Sequence, residues 1–185
     1  MYTYDTYDNV LTFSGSNDYS SEYTRDASGN ELTFSASNGF SYEYTRDASG
    51  NVLTYSCSSG SSYEITRDVR GNELTFSDSR GFSYEITRDV SGNILTYSCS
   101  SGYSSEYTRD ADGNELTYSD SRGCNRVTIT RDAFYTLYQD VNTKLFTAGC
   151  RNNLTLEEAL AHWDRTDARA ILFTEALKEL QANEM

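Results

Sequence analysis

The chain has 185 residues, of which 37% are hydrophobic and 14% aromatic, and it carries a formal net charge of −13 at pH 7. Such a charge repels phosphate backbones and anionic headgroups, which speaks against direct nucleic-acid binding and against attachment to a membrane surface. Disordered segments are poor in aromatics, so a chain this polar yet this aromatic is expected to fold with its apolar groups gathered on one face.

The first residues, MYTYDTYDNV, hold neither a basic stretch nor an apolar core, and no run reaches transmembrane length. The expected location is therefore cytoplasmic. From there the chain repeats itself. Thr-Arg-Asp recurs at Thr24, Thr45, Thr66, Thr87 and Thr108, 21 residues apart, and again at Thr130 after one inserted residue. Leu-Thr recurs at Leu11, Leu32, Leu53, Leu74, Leu95 and Leu116.

Inside one unit the residues alternate with period two, the pattern of a half-buried strand. Phe40, Tyr42, Tyr44 and Arg46 fall on one side, and Ser41, Glu43, Thr45 and Asp47 on the other. Leu53, Tyr55 and Cys57 alternate in the same way with Val52, Thr54 and Ser56. Each unit therefore predicts two strands. Opposed residues of an antiparallel pair share a face, so keeping the rings together sets Tyr44 opposite Tyr55 and Arg46 opposite Leu53. That requires an even loop, Ala48 to Asn51, with Asp47 placed to bond the turn backbone. The connection between units, Ser37-Asn38-Gly39, is odd and suits a type I turn with left-handed Gly. Gly60, Gly81, Gly102 and Gly123 occupy the same third place; Asp18 replaces them in the first unit.

The fold expected for about residues 1–132 is mainly β: an antiparallel β-hairpin repeat array of 21-residue period, curled or spiralled by its right-handed twist. A second period of 42 runs through Val10, Glu31, Val52, Glu73, Ile94 and Glu115 and is compatible with a 42-residue solenoid rung. The tail, 133–185, reads as a small α-helical C-terminal cap, which covers the last strand edge of an array. Phe134, Leu137, Tyr138, Val141 and Leu145 have helical spacing within Ala133–Phe146. Thr155 and Glu158 form a capping box, and Asp167 caps a last helix bearing Ile171, Leu172, Leu177 and Leu180.

Units such as GFSYEYTRDASGNVLT, with Tyr-x-x-Asp followed by Gly-Asn-x-Leu-Thr, resemble the YD repeats of RHS-type and teneurin-like proteins. Tyr2-Thr3-Tyr4-Asp5 matches that signature most fully, and later copies place Arg25, Arg46, Arg67, Arg88 and Arg109 at the second Tyr. The resemblance spans about residues 1–132 and implies a wound sheet of hairpins of the kind that builds shells. It bears on architecture more than on role.

Most candidate chemistry in the repeats reads as structure. The Arg ladder suits stacking on Tyr rings and pairing with acids. Asp110, Asp112 and Asn114 are spaced like the oxygens of a calcium loop, yet Ser28, Ser49, Arg70 and Ser91 stand where Asp112 does, so neither metal nor cofactor is expected. Cys57 and Cys99 share a column two units apart, beyond disulfide reach in a meander but adjacent in a 42-residue rung. Cys124 and Cys150 flank the junction and could meet there, although free thiols of a reducing compartment are the favoured reading. His162, the one histidine, has no Ser or Cys beside it to make a recognisable dyad, and no catalytic residue is assigned.

The remaining suspicion falls on the Ser/Thr/Glu face. Glu22, Glu43, Glu64, Glu85 and Glu106 form a regular column there, with Asp26, Asp47, Asp68, Asp89 and Asp110 at the strand ends. The expected function is non-enzymatic: a repeat protein that binds a macromolecular partner, foremost a protein, through this acidic face or the helical cap. Two alternatives follow from the same features. One is a phage-type inhibitor of a host defence nuclease that occupies its basic nucleic-acid groove, of anti-CRISPR or anti-restriction type. The other is a self-assembling shell protein that pairs as a homo-oligomer through the N-terminal edge strand.

Overall fold

A computed structural model of the chain describes residues 1–15, 17–132, 134–149, 151–163 and 167–183. The repeats fold into thirteen strands: β1 (Tyr2–Tyr4), β2 (Val10–Ser14), β3 (Ser20–Arg25), β4 (Glu31–Ala36), β5 (Ser41–Arg46), β6 (Val52–Cys57), β7 (Ser62–Arg67), β8 (Glu73–Asp78), β9 (Ser83–Arg88), β10 (Ile94–Cys99), β11 (Ser104–Arg109), β12 (Glu115–Asp120) and β13 (Asn125–Arg131). The tail adds β14 (Thr136–Asp140), β15 (Phe146–Ala148), β16 (Arg151–Leu154), α1 (Leu156–Trp163) and α2 (Ala168–Asn183). All sixteen strands belong to one antiparallel sheet in the order of the chain. The expected β-hairpin array with a helical C-terminal cap is what forms, and strand order makes it a meander rather than a stack of 42-residue rungs.

The pairing inside each hairpin keeps the rings on one side, but by a different route from the one expected. Tyr44 lies opposite Tyr55 and Thr45 opposite Thr54, after which Arg46 pairs with Val52 and skips Leu53. The same shift skips Leu32 between β3 and β4, and Leu74 between β7 and β8. The loop is three residues, not four: the Asp47 N–H donates to the Asn51 carbonyl and the Gly50 N–H to the Asp47 carbonyl. Gly50, at φ 85°, takes the left-handed place that a side chain resists. An odd loop alone would turn the rings to opposite faces, and the bulge at the Leu restores the parity.

Asp47 selects the short loop. One carboxylate oxygen accepts the N–H groups of Ser49 and Asn51, both at 2.9 Å, while Asn51 Nδ2 donates to the other, also at 2.9 Å. The connection between units is the expected three-residue turn, closed by the Gly39 N–H on the Ala36 carbonyl. Asp18 indeed adopts the left-handed conformation, at φ 59°.

Serine and arginine then join one hairpin to the next. Ser58 Oγ accepts the Ser41 N–H at 3.0 Å, and Ser37, Ser79, Ser100 and Ser121 repeat that bond. Arg46 stacks on Tyr44 at 5.4 Å and donates both to the Gly50 carbonyl of its own loop and to the Glu31 carbonyl of the preceding hairpin. Arg67 and Arg109 do the same with Val52 and Ile94. The ladder is structural, as its repetition implied.

Two compact units are distinguished, Met1–Thr87 with Ser98–Gly102, and Arg88–Tyr97 with Tyr103–Met185. Within the first, Ser21 is the sole buried residue among those described. Its strands form a single layer, with rings such as Phe34, 4.9 Å from Tyr23 and 5.0 Å from Tyr42, half-buried against one another.

The second unit holds a closed core. Leu137, Phe146, Phe173 and Leu177 are fully buried together with Ala159, Ala170 and Trp163, and α2 packs on β13. Each such side chain contributes about 1.5–3 kcal/mol by leaving water.

The helix expected over Ala133–Phe146 is not there. Thr136–Asp140 is a strand whose alternation buries Leu137 and Gln139, and Phe134, assigned to the apolar face, is 81% exposed. Turn chemistry overrides the helical spacing: Asp132 accepts the Phe134 and Tyr135 N–H groups, and Asp140 those of Asn142 and Thr143. The two later helices form where expected. Glu158 accepts the Thr155 N–H at 2.9 Å while Thr155 Oγ1 accepts the Glu158 N–H at 3.2 Å, and Asp167 accepts the Ala170 N–H.

Candidate functional site

Glutamates enter the sheet in two classes. Glu31, Glu73 and Glu115, on the 42-residue period, are partly buried and occupied. Glu31 accepts the Tyr42 hydroxyl and lies 3.7 Å from Arg25; Glu73 pairs with Arg67 at 3.2 Å; Glu115 holds Arg126 at 2.9 Å. Burial and the Glu31 carboxylate push the Tyr42 hydroxyl well above the ordinary phenol range.

The other class is Glu22, Glu43, Glu64, Glu85 and Glu106. All five are exposed, and none of their carboxylates has an ion pair or hydrogen bond to a described residue. Glu22, Glu43, Glu64 and Glu85 stand on β3, β5, β7 and β9 of the first unit. Glu106 has the same place on β11 of the second. Register fixes their setting. Thr24, Thr33, Glu43, Ser56 and Ser62 lie in one row across β3 to β7. The next row runs Thr45, Thr54, Glu64, Ser77 and Ser83.

From Glu22 to Glu85, within the first unit, each Glu is thus offset by two strands and two residues from the last. With strands ~4.8 Å apart and a rise of ~3.4 Å per residue, successive carboxylates are about 12 Å apart. Carboxylate pairs that act on one bond sit ~5–9.5 Å apart, so the column is an electrostatic surface rather than an acid–base dyad. Between the Glu residues, threonine pairs close on themselves: Thr24 to Thr33 and Thr45 to Thr54 at 2.7 Å, Thr66 to Thr75 at 2.6 Å. Their hydroxyls are turned to each other and leave the carboxylates as the strongest free acceptors of this face.

The Asp column at the strand ends belongs to the turns instead. Asp26, Asp47 and Asp89 are held below the usual carboxylate range, first by the side-chain amides of Asn30, Asn51 and Asn93 and then by backbone N–H groups. Asp110 is lowered foremost by the Asn114 N–H, with help from Arg131 at 3.0 Å. Its neighbour Asp112 donates a backbone N–H to that same carboxylate. The spacing that suggested a calcium loop is the spacing of the turn.

Cys57 is a free thiol, so it is not bonded to Cys99, as a meander requires. Its pairing with Ser59 Oγ at 3.0 Å and with Tyr55 brings the thiol down to about 7. Cys124 is also free; Cys150 lies outside the described residues. His162 packs its ring on Trp163 at 5.2 Å.

No protein-family description and no curated protein matches this sequence. Among solved structures, the chain is similar to one titled as the crystal structure of TcdB2-TccC3-TEV, at 14% identity and a TM-score of 0.49, over 73% of this chain and 9% of that one. It is also similar to a Photorhabdus luminescens Tc holotoxin pore carrying a TccC3 mutation, at 15% identity and a TM-score of 0.41, over 71% of this chain and 7% of that one. The chain therefore spans less than a tenth of either.

Proposed function

We propose that the chain is a non-enzymatic interaction protein that docks a basic protein surface on the column Glu22, Glu43, Glu64 and Glu85 of the first unit, Glu106 being the equivalent residue of the second. What carries this reading is the contrast between two sets of the same residue. The glutamates on the 42-residue period are consumed by Arg and Tyr partners, whereas those on the 21-residue period are exposed and unpartnered. A structural role accounts for the first set and not for the second. In a chain of −13, such a column attracts cationic surfaces and repels nucleic acid.

A narrower form of this reading is occupation of a defence nuclease's groove in place of DNA. Charge sign favours it. Spacing weighs against it, since duplex DNA carries one charge per ~1.7 Å of axis and the column one per about 12 Å.

The test is quantitative capture by the full chain and by a variant with Glu43→Gln, Glu64→Gln and Glu85→Gln, followed by affinity measurement against the recovered partner in rising salt. A basic partner, weakened at least tenfold by the triple change and weakened by salt, is the expected result. A partner held equally by both forms, with unchanged thermal stability, refutes the assignment of this face.

A further inference from the structure

The second unit contains a cavity of about 340 Å³ that no reading of the repeats uses. Trp163 and Phe173 form its floor, at ring centroids 5.4 Å apart, and Tyr135 one wall. Gly149 lets the backbone pass close to that wall: it has φ 59°, and a Cβ there would meet the Tyr135 ring at 3.0 Å.

Among the described residues the rim carries two guanidinium groups, Arg151 and Arg169, and one carboxylate, Asp167. Two guanidinium groups at one cavity are a local concentration in a chain with 28 acidic and 15 basic residues, and His162 lines the cavity beside them. Arg151 is exposed and has no hydrogen bond or ion pair to a described residue. Arg169 is pre-set: its Nε donates to Asp132 and its Cζ lies 4.3 Å from the centre of the Tyr135 ring, and its Nη groups make no hydrogen bond to a described residue. The one acid among the described lining residues, Asp167, already accepts the Ala170 N–H at 3.1 Å as the cap of α2.

Aromatic walls closed by guanidinium donors recognise a particular chemistry. Guanidinium matches the planar, two-oxygen geometry of a carboxylate, and aromatic walls accept a flat apolar body. Size limits that body, because an apolar cavity of ~150 Å³ already takes benzene and drug-sized pockets begin near ~300 Å³.

We propose that this cavity binds a small carboxylate borne on an aromatic group, with the ring beside Trp163 and the carboxylate on Arg151 and the Nη groups of Arg169. Either a free aryl-alkanoic acid or the last residue of a peptide ending in phenylalanine offers that chemistry.

Trp163 is the only tryptophan, so its fluorescence reports on the floor of the cavity directly. The full chain is titrated with 3-phenylpropionate, with uncharged 3-phenylpropanamide, and with a short peptide ending in phenylalanine. The acid should give a saturable change and the amide should bind about tenfold more weakly, having lost the charge-assisted bonds. Tighter binding of the peptide than of the free acid would identify the former as the source.

Arg151→Gln should weaken the acid about tenfold and leave the amide unchanged. Arg151 is the residue to replace because Arg169→Gln also removes a bond to Asp132. Failure of the acid to saturate, equal binding of acid and amide, or an unaffected Arg151→Gln variant would each overturn the proposal.

Discussion

The same substitution, Leu→Ala, should have very different costs at two places in one unit. Leu137 on β14 is fully buried among Phe146, Ala159 and Leu177. Leu116 on β12, a member of the repeated Leu-Thr column, is 42% exposed. Removing the equivalent of three methylenes from Leu137 forfeits about 2.4 kcal/mol of transfer energy at ~0.8 kcal/mol each. The core closes only partly around the gap, which raises the total to about 3–5 kcal/mol. At Leu116 little more than half the side chain is covered, so the transfer loss is about 1.4 kcal/mol, and an open surface leaves no cavity to add. Urea unfolding followed by Trp163 fluorescence measures both, because Trp163 belongs to the core that holds Leu137. Leu137→Ala should cost at least twice what Leu116→Ala does. Equal costs would mean that Leu116 is covered in the folded protein, and the account of β12 as an uncovered strand at that position would fail.

Other outcomes follow from single sites. Gly50 and Gly60 have nearly the same positive φ, but a Cβ on Gly50 would meet Asn30 Nδ2 at 3.0 Å while one on Gly60 meets nothing within 4 Å. Gly60→Ala should therefore cost about 1–2 kcal/mol for its conformation alone and Gly50→Ala distinctly more, read as two thermal midpoints. Asp26, Asp47 and Asp89 have lowered native pKa values, so their contribution to stability is complete above the unfolded carboxyl value, ~3.9, and is lost as pH falls through the native ones. Stability should be flat from pH 7 to about 5 and drop below about 4; replacing the three with Asn should make that drop shallower, and an unchanged acid limb would contradict the turn bonding. Cys57, lowered to about 7, should be alkylated by iodoacetamide at pH 7.5 faster than Cys124, whose thiol is raised by burial, with the order read by mass spectrometry.

Much of this molecule is written locally. A period of two, a turn glycine every unit and a repeat of 21 residues determine strands, faces and a meander, because each hairpin pairs with its chain neighbours and needs nothing remote. Tyr44 meets Tyr55 for that reason, and the helix caps at Thr155 and Asp167 are equally local. The bulge at Leu53 was hidden because an even loop and an odd loop plus a bulge satisfy the same parity; hydrogen bonds to Asp47 decide between them. Glu22, Glu43, Glu64, Glu85 and Glu106 could be placed on the polar face from sequence, but whether an arginine occupied any of them depended on cross-hairpin register. The tail escaped local reading for a different reason. Leu137, Tyr138 and Phe146 fit helical and strand spacing alike, and only packing under α1 and α2 gives the strand an apolar face to bury. Period and turn chemistry thus determined the array, whereas the closed core and its cation-rimmed cavity arise from residues distant in the chain, whose encounter no short pattern records.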